Sequence, residues 1–485
     1  MATPRMITSA GSNHLPIQVI SRRLIKASDT SMVPQMFPFS NLDLIHSTTQ
    51  TSVTCVYAKP PVGDFSGVVA AFEAELPAFL NYYFPIAGRL VTNPTTGLPE
   101  LHCLNQGTEL VVANAGVKLG SPDWSISARS LKMINLPYAD DLPLSVQLVS
   151  FTCGGFVVVW ATNSLVADCQ AMATLVRMWS EFVRVGLITG GAGPNPDRSV
   201  FRRPRHPPSY SASLDEEFTP RAHEHEVNAL TAEDSFVERL YYVEARDVAG
   251  LRDMASANGG GHRATRVEAL SAYLWKALAG VVDASARLSD GDKRCRMGWW
   301  VDARQRLAAP EFRSALRSYL GNATTYAVAE AAVDTVLEST LPDVAAMVRE
   351  AIVSVDYDER CRQLVDWVAE RKLAGGVAET ATVGRGSPTL SQMVWATFPG
   401  DTDFGFGEAA LAMPVSANGR LCSAYLCVAS RPGDDRPWIV SAYVWPSFAA
   451  ALESDERRIF KPLTAQHLGF TRDKHVVVPD ATPRL

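Results

Sequence analysis

The sequence predicts an α/β or α+β protein built from two layered domains. The chain has 485 residues, which is long for a single hydrophobic core and favours two large domains. Segments with helical periodicity alternate with short apolar segments typical of strands in both halves of the chain. A stretch rich in glycine and proline separates the halves. These observations predict domains at residues 1–190 and 236–485, joined by a crossover linker at residues 191–235.

The N-terminal half is predicted to begin with strands and one amphipathic helix. Residues 17–26 and 42–57 mix apolar residues with serine and threonine, as short strands do. Apolar side chains then recur at steps of one, three or four, which predicts a helix packed on the sheet; they are Val68, Val69, Phe72, Leu76 and Phe79. Residues 156–160 are all apolar and follow a Gly-Gly pair, which predicts a strand buried on both faces.

A second helix is predicted after Ala171, because apolar residues follow helical spacing from Met172 to Val183. Asp168 then lies near the start of this helix, where a carboxylate can accept hydrogen bonds from backbone N–H groups. A capping role and a direct role in chemistry are both open for Asp168 on this reasoning.

The middle of the chain is predicted to be a solvent-exposed linker. Hydrophobic periodicity is weak between residues 186 and 234, and glycine and proline cluster at 190–196. The basic cluster at 202–208 could bind phosphate, but short charged runs in proline-rich loops are usually solvated, and we expect that here. Beyond the linker, spacing and apolar runs predict helices at 267–278 and 341–353 and strands at 298–301, 421–429 and 443–445.

The composition is that of a compact protein, with 47% hydrophobic and 20% charged residues. The formal net charge of −6 gives no general attraction to phosphate backbones, so we expect no nucleic-acid partner. The eight cysteines lack the spacing of a disulfide scaffold or a zinc site, which indicates reduced thiols and no metal. No signal-like apolar segment or run of 18 apolar residues occurs. We expect a cytoplasmic protein without a membrane span, and a monomer, since nothing indicates self-association.

The segment 142–168 resembles a motif region of the plant BAHD acyl-CoA-dependent acyltransferases. It has a strand, a Cys-Gly-Gly turn at 153–155 and an x-x-x-Asp pattern ending at Asp168, similar to the family's His-x-x-x-Asp motif. Further segments match in the family's order, and they lie at 37–43, 82–90, 265–276, 301–306 and 319–322. A last one, Asp403-Phe404-Gly405-Phe406-Gly407, is similar to the family's Asp-Phe-Gly-Trp-Gly signature.

This resemblance spans nearly the whole chain and implies a fold and a reaction. The fold would be two chloramphenicol-acetyltransferase-like domains, each a mixed sheet covered by helices, with an active-site channel between them. The substrates would be acyl-CoA, as a co-substrate rather than a bound cofactor, and a small-molecule acceptor.

Ser164 stands where the family motif has its histidine. An acceptor hydroxyl or amine must lose a proton as it attacks the thioester, and a histidine with a pKa near 6.5 suits that task. A serine hydroxyl is too weak a base and a poor nucleophile without a neighbouring base. Among the nine histidines, His46 lies near the 41–43 loop and is the favoured candidate for a substitute base.

Other residues around the motif are assigned by the same resemblance. It implies that Asp168 turns away from the substrate and pairs with an arginine, for which Arg304 is the match. Cys169 replaces the family's glycine, and its thiol is either activated by the helix dipole or buried and inert. Thr162, Asn163 and Ser164 are polar groups at the strand end, where they could position a substrate, support an oxyanion or cap the strand.

Two segments further along the chain depart from the family pattern. In residues 392–395 Trp395 is kept, but Met393 stands where a hydroxyl would help to hold the reacting carbonyl. Oxyanion support at Met393 is therefore in question. The 403–407 segment lies away from the site in the family, which implies a role in folding, with Gly405 and Gly407 supplying tight turns.

Three functions remain open on the sequence. The first, which the resemblance favours, is acyl transfer from acyl-CoA to a hydroxyl or amine of a plant specialised metabolite, with weak or altered activity. Positioning alone or a substitute base would then replace the histidine. The second is a lyase-type enzyme that uses the same channel without CoA. The third is a non-catalytic protein that binds a ligand or a partner enzyme.

Overall fold

We describe the protein from a computed structural model, in which helices alternate with strands as the α/β prediction requires. The description covers residues 15–45, 50–188, 193–217, 230, 236–257, 262–285, 293–316, 318–373, 387–395, 401–416, 423–430 and 437–471. Two large sheets and one small sheet form within these residues.

The first large sheet has six strands, of which five come from the N-terminal half. They are β1 (Gln18–Ile25), β3 (Gln50–Tyr57), β6 (Thr108–Asn114), β7 (Leu144–Ser150), β8 (Phe156–Asn163) and β13 (Leu411–Ser416). Their order across the sheet is β1-β6-β7-β8-β3-β13. The β6 and β7 strands are parallel, and the other neighbours are antiparallel. All eight residues of β8 are buried, which is why its sequence is a continuous apolar run.

The second large sheet has seven strands and is also mixed. They are β9 (Val237–Val243), β10 (Arg294–Asp302), β11 (Thr324–Ala332), β12 (Thr389–Trp395), β14 (Ser423–Ser430), β15 (Trp438–Val444) and β16 (Lys461–Pro462). The order is β11-β10-β12-β14-β15-β9-β16, with β12 parallel to both of its neighbours. A small sheet joins β2 (Gln35–Pro38), β5 (Pro99–Cys103) and β4 (Arg89–Thr92).

Helices accompany both large sheets. They are α1 (Phe65–Tyr82), α2 (Leu131–Ile134), α3 (Cys169–Val185), α4 (Leu214–Glu217), α5 (Ala245–Ala255), α6 (Arg266–Asp283), α7 (Pro310–Ala315), α8 (Val333–Glu338), α9 (Leu341–Val353), α10 (Tyr357–Leu373) and α11 (Pro446–Ser454). Short 3₁₀ turns connect several of them.

Aromatic packing holds the first helices against the first sheet. The Phe72 ring of α1 stacks on Trp179 of α3 at 4.5 Å between centroids. Both rings also contact Trp160 of β8, at 5.7 Å in each case. All three side chains are buried, so the apolar faces of α1 and α3 meet over the strand that leads to Ser164.

The α6 helix packs on the second sheet through an aromatic contact, as α1 and α3 do on the first. It begins with a capping box, in which Thr265 accepts from the Glu268 backbone and Glu268 reaches back to the Thr265 backbone. Its Trp275 packs against Trp299 of β10 at 6.4 Å. This contact positions the end of β10, which lies at the candidate site.

One strand crosses between the two halves of the chain. The β13 strand falls inside the predicted segment 236–485, yet Leu411 pairs with Val56 of β3 in the first sheet. The division into 1–190 and 236–485 therefore stays a proposal about the chain, with β13 as a strand that the C-terminal segment adds to the N-terminal sheet.

The Asp-Phe-Gly-Phe-Gly segment leads directly into β13. The Asp403 carboxylate accepts hydrogen bonds from the backbone of Gly405 (2.8 Å) and Gly407 (3.0 Å). Both glycines have positive φ values, +103° and +91°, which residues with a side chain rarely adopt. This tight turn inserts Phe404 into the N-terminal core, where its ring meets the edges of Tyr57 and Phe72 at about 5.5 Å.

The structure corrects the prediction of a strand over residues 42–57. The first part, Asp43–Ile45, is a 3₁₀ helix, because the Asp43 carboxylate accepts hydrogen bonds from the backbone and hydroxyl of Ser40 and closes a turn. The strand begins only at Gln50. His46 lies outside the described residues.

The linker prediction also needs correction, since parts of residues 193–217 are not solvent-exposed. Arg198 and Phe201 are buried. Within the basic cluster, Arg205 is ion-paired with Asp366 (2.6 Å) and Glu359 (3.0 Å) rather than merely solvated. This segment is therefore fastened to α10 and to the core.

In the described part of the chain, no helix is long and apolar enough to cross a membrane. The described side chains likewise form no group of three or more His, Cys, Asp or Glu that could hold a metal ion.

The insertion of Phe404 is testable by a pair of substitutions. Phe404→Ala should lower the free energy of unfolding by about 3–5 kcal/mol, because it empties a buried aromatic position. Phe406→Ala should cost less, since Phe406 is only half-buried. Urea unfolding followed by tryptophan fluorescence measures both, and equal losses would contradict the assigned role of Phe404.

Candidate active site

A tight turn connects β8 to α3 and carries Ser164. The Asn163 side-chain oxygen accepts a hydrogen bond from the Leu165 backbone at 2.9 Å, and the Val166 backbone donates to the Asn163 carbonyl at 2.9 Å. Ser164 is half-buried in this turn. The turn reverses the chain at the end of a buried strand and sets Asp168 as the N-cap of α3.

The polar residues at the end of β8 are held by backbone contacts. The Thr162 hydroxyl donates to the Pro143 carbonyl at 2.8 Å, and both Thr162 and Asn163 are buried. These contacts favour the capping role over substrate binding for Thr162 and Asn163.

Asp168 is surrounded by five hydrogen-bond donors. Its Oδ1 accepts from the Ala171 backbone (2.9 Å) and Arg304 Nη2 (3.0 Å). Its Oδ2 accepts from Arg304 Nη1 (2.8 Å), the Ala323 backbone (2.9 Å) and the Thr324 hydroxyl (3.1 Å). Burial opposes the charge, but the Arg304 guanidinium and these hydrogen bonds outweigh it and hold the pKa of Asp168 below its usual value. Both oxygens are thus committed to the fold, and the carboxylate is not free to act on a substrate.

Arg304 joins the two halves of the site. Besides Asp168 it donates to Asp302 Oδ1 at 2.9 Å and to the Gly321 carbonyl at 2.8 Å. Asp168 begins α3 on the first sheet, whereas Asp302 ends β10 of the second. A single buried guanidinium therefore fixes the start of one helix against the end of a distant strand.

A second buried network holds the Ser164 turn from the other side. Asp43 Oδ2 accepts from Arg198 Nε at 2.9 Å, and Asp43 Oδ1 accepts from the Asn322 backbone at 2.8 Å. The Asn322 amide then donates to the Ser164 carbonyl at 2.9 Å, and Arg198 donates to the Val166 carbonyl at 2.6 Å. Asp43 and Asn322 lie in segments 37–43 and 319–322, which match the family pattern, but no signal in the sequence shows that these two segments meet. Sequence analysis missed Arg198.

A cavity of about 300 Å³ lies beside the start of α3. The second sheet and the start of α3 supply most of its lining, which consists of Cys169, Gln170, Val267, Trp299, Trp300, Val301, Asp302, Gln305, Arg306, Thr324, Ile352, Gln392, Met393, Val394 and Trp395. Of the sequence-predicted substrate residues, Met393 and Trp395 are in this lining, whereas Thr162, Asn163 and Ser164 are not. Sequence analysis missed several residues of this lining, although the 301–306 segment matches the family pattern; they are Trp299, Trp300, Asp302, Gln305 and Arg306.

None of the histidines that the structure describes lines this cavity. His102 lies in the small sheet beside Glu100, and His467 stacks on Tyr242 at 4.2 Å. His206 and His262 are exposed. The structure therefore offers no imidazole to replace the motif histidine among its described residues, and His46 stays a prediction.

Cys169 is the first residue of α3, but its thiol is not activated there. Burial raises its pKa well above the usual value, and Cys427 and Asp168 add to the shift. A thiolate is therefore disfavoured at this position, chiefly because the thiol is buried. The inert reading of Cys169 fits this environment.

Met393 and Gln392 shape the wall where the family holds a carbonyl. The Tyr425 hydroxyl donates to Met393 Sδ at 3.5 Å. The Trp299 indole donates to the Ser271 hydroxyl at 2.9 Å, and Ser271 donates to Gln392 Oε1 at 2.7 Å. These two hydrogen bonds orient the buried Gln392 amide, whose Nε2 has no hydrogen-bond partner among the described residues.

The chain is similar to known acyltransferases along most of its length. The family model described as the Transferase family matches residues 15–457. An omega-hydroxypalmitate O-feruloyl transferase of Arabidopsis thaliana is 25% identical over 423 residues, which cover 84% of this chain and 86% of the relative. Putrescine hydroxycinnamoyltransferase 3 of Oryza sativa subsp. japonica is 26% identical over 416 residues, covering 82% and 90%.

Solved structures share the fold at low sequence identity. Vinorine synthase has 19% identity and a TM-score of 0.67, and the match covers 92% of this chain and 99% of that one. TRI101 of F. graminearum, complexed with coenzyme A and T-2 mycotoxin, has 16% identity and a TM-score of 0.70, covering 88% and 99%. These likenesses confirm the two-domain chloramphenicol-acetyltransferase-like fold.

The Asp168–Arg304 pair can be tested by its pH dependence. Because the folded-state pKa of Asp168 lies below its usual value, its stabilisation is present above the ordinary aspartate pKa and is lost as the pH falls through the lowered value. Asp168→Asn should lower the free energy of unfolding by about 3–5 kcal/mol at about pH 7. The difference from the natural protein should narrow below about pH 4.

Urea unfolding at several pH values measures this difference, with Asp334→Asn on the exposed face of α8 as the control. A loss for Asp168→Asn that does not change with pH would argue against the ion pair as its source.

The state of Cys169 predicts its reactivity. At about pH 8 iodoacetamide should modify the exposed Cys153 first and leave Cys169 largely intact, because the raised pKa keeps the Cys169 thiol neutral. Peptide mass spectrometry over time distinguishes the two, and unfolding in urea should equalise their rates. Equal rates in the folded protein would instead indicate an activated thiol at the helix start.

Proposed function

Since the chain belongs to the Transferase family, we propose that it is an acyl-CoA-dependent acyltransferase that acts on a hydroxyl or amine of a plant specialised metabolite. In this reaction the acceptor attacks the thioester carbonyl, and the acyl group passes from CoA to oxygen or nitrogen. Acyl-CoA is a co-substrate, consumed in each turnover.

The observation that carries this proposal is the cavity beside the start of α3. Its walls come from strands of the second sheet and from the start of α3, and the Asp168–Arg304 pair holds α3 against the end of β10. A volume of about 300 Å³ is at the lower end of small-molecule sites, which suits an acyl group and the reacting part of an acceptor. Binding of both substrates in one cavity supplies proximity and orientation, which can contribute several kcal/mol to a two-substrate reaction.

The lining of the cavity favours an aromatic acyl group. Trp300 and Trp395 present large rings, and Met393 adds a flexible side chain of a kind that packs well on aromatic groups. The names of the two relatives above specify feruloyl transfer to oxygen in one case and hydroxycinnamoyl transfer for putrescine, an amine, in the other. We therefore propose a benzoyl- or hydroxycinnamoyl-CoA donor, with amine acceptors among the substrates because a neutral amine attacks before it loses a proton.

We also propose that the protein works as a cytoplasmic monomer. The described cysteines are free, as in a reducing compartment. The comparisons support neither a lyase without CoA nor a non-catalytic binding protein.

Acceptor-dependent release of CoA thiol tests the function. The natural protein is offered acetyl-, malonyl-, benzoyl- and hydroxycinnamoyl-CoA with mixed alcohols and amines, and aromatic donors should be used fastest. Val267→Trp should abolish this release, because Val267 lines the cavity and the larger ring fills it. Gly280→Trp adds the same ring on the exposed side of the same helix, where nothing lies within 4 Å, and should leave the rate unchanged.

Release that does not need an acceptor, or that survives Val267→Trp, would overturn transfer in this cavity. Turnover by Ser164→His alone would show that the scaffold binds acyl-CoA while the natural chain has lost transfer.

A further inference from the structure

We propose that Asp302 is the catalytic base of this chain, taking the acceptor proton that the motif histidine would otherwise take. The proposal rests on the acyltransferase function proposed above. It starts from a chemical need that Ser164 does not meet: an attacking hydroxyl must lose its proton during the transfer.

Asp302 is placed to meet that need. It ends β10 and lines the 300 Å³ cavity together with Met393 and Trp395. The Arg304 guanidinium donates to both Asp302 and Asp168. It therefore links the Asp302 carboxylate to the start of α3, which follows the turn that carries Ser164. The acceptor and the thioester would therefore meet within reach of Asp302.

One oxygen of Asp302 is occupied and the other is available. Oδ1 accepts from Arg304 Nη1 (2.9 Å) and from the Arg304 backbone (3.2 Å), which fixes the orientation of the carboxylate. Oδ2 has no hydrogen-bond partner among the described residues, and the side chain keeps 30% of its surface exposed. Asp168 differs in that all its acceptor positions are filled by the protein.

The other ionisable groups around the cavity do not compete for this role. Of the described residues that line it, Cys169 has a thiol whose pKa is raised well above its usual value, and Arg306 is a cation. Asp302 carries the one carboxylate in that lining. Gln170, Gln305 and Thr324 are neutral and accept no proton at neutral pH.

The surroundings also make Asp302 a better base than a surface carboxylate. Burial raises its pKa, the nearby Arg304 charge opposes that shift, and the negative Asp168 adds to it. A carboxylate with a raised pKa holds a proton more readily, which is what general-base catalysis near neutral pH requires.

The acceptor oxygen or nitrogen forms a bond to the thioester carbonyl carbon as its proton passes to Asp302 Oδ2. The carbon–sulfur bond then breaks, and the protonated Asp302 returns the proton to the departing sulfur, which leaves as CoA thiol. The carboxylate is regenerated, and no oxidant, metal or further reactant takes part.

The test compares Asp302→Asn with the natural protein, using the donor and acceptor pair that the panel above shows to be fastest. Asparagine keeps the cap on the Arg304 backbone, so the fold should survive. We expect kcat to fall by about 10²-fold or more, with the KM for acyl-CoA nearly unchanged. The loss should be larger for alcohol acceptors than for amines.

The pH profile separates a base from a structural residue. Activity of the natural protein should rise with pH through the raised pKa of Asp302, and this acid limb should vanish in Asp302→Asn. The pKa of Asp168 is lowered, whereas the pKa values of Cys169 and Arg304 are raised, so none of these neighbouring groups should produce that limb. Asp334→Asn is the matched control and should keep both rate and limb.

Rescue completes the design. Adding Ser164→His to Asp302→Asn should restore transfer, because it supplies the missing base, whereas it would not repair a damaged fold. Transfer by Asp302→Asn at the natural rate with the acid limb intact overturns the base assignment and leaves the acyltransferase function standing. Absence of transfer by the natural protein across the panel overturns both.

Discussion

The arrangement of this protein depends on one buried ion pair, between Asp168 and Arg304. Taking two charges out of water is expensive, and such a pair is tolerated only when the remaining hydrogen-bonding positions are filled. Here backbone N–H groups, a hydroxyl and a backbone carbonyl fill them. These partners come from α3 and from the chain at the start of β11, and Arg304 itself directly follows β10. The pair therefore fixes the start of α3 against the second sheet, and the cavity lies beside this junction.

The same scaffold positions the Ser164 turn without help from the side chain at position 164. The Ser164 turn is held by its backbone: Asn322 binds the Ser164 carbonyl, and Arg198 binds the Val166 carbonyl. The side chain at position 164 makes neither of these two contacts, so they do not require a particular residue there. In the mechanism proposed above, the acceptor proton passes to Asp302, whose carboxylate lines the cavity.

The sequence predicted the parts of the fold that have a local signal. The α1 and α3 helices follow from apolar spacing, β8 from its continuous apolar run, and the capping position of Asp168 from the helix that follows it. The β12 strand was missed because it buries Ser391 and Gln392, so its centre does not look apolar. The 3₁₀ turn at Asp43 was missed because it depends on a side-chain hydrogen bond that spacing does not reveal.

The candidate site was less predictable, for a physical reason. Its members meet through contacts between distant segments, such as Arg198 with Asp43 and Arg304 with Asp168 at the start of α3. Resemblance supplied Arg304 and Trp395 as candidates, but the free oxygen of Asp302 and the committed oxygens of Asp168 are matters of geometry. Asp168 and Asp302 have the same side chain, but Asp168 is structural and Asp302 is open to the cavity.

The position of β13 has a consequence for how the chain is made. The β3 strand is complete at Tyr57, but its edge partner begins only at Leu411, about 350 residues later. At ribosomal rates of about 5–20 residues per second, the edge of β3 and the apolar surface that Phe404 later covers stay exposed for tens of seconds of synthesis. The N-terminal sheet therefore emerges with an open edge able to pair with other chains, and its folding finishes only when the C-terminal part arrives.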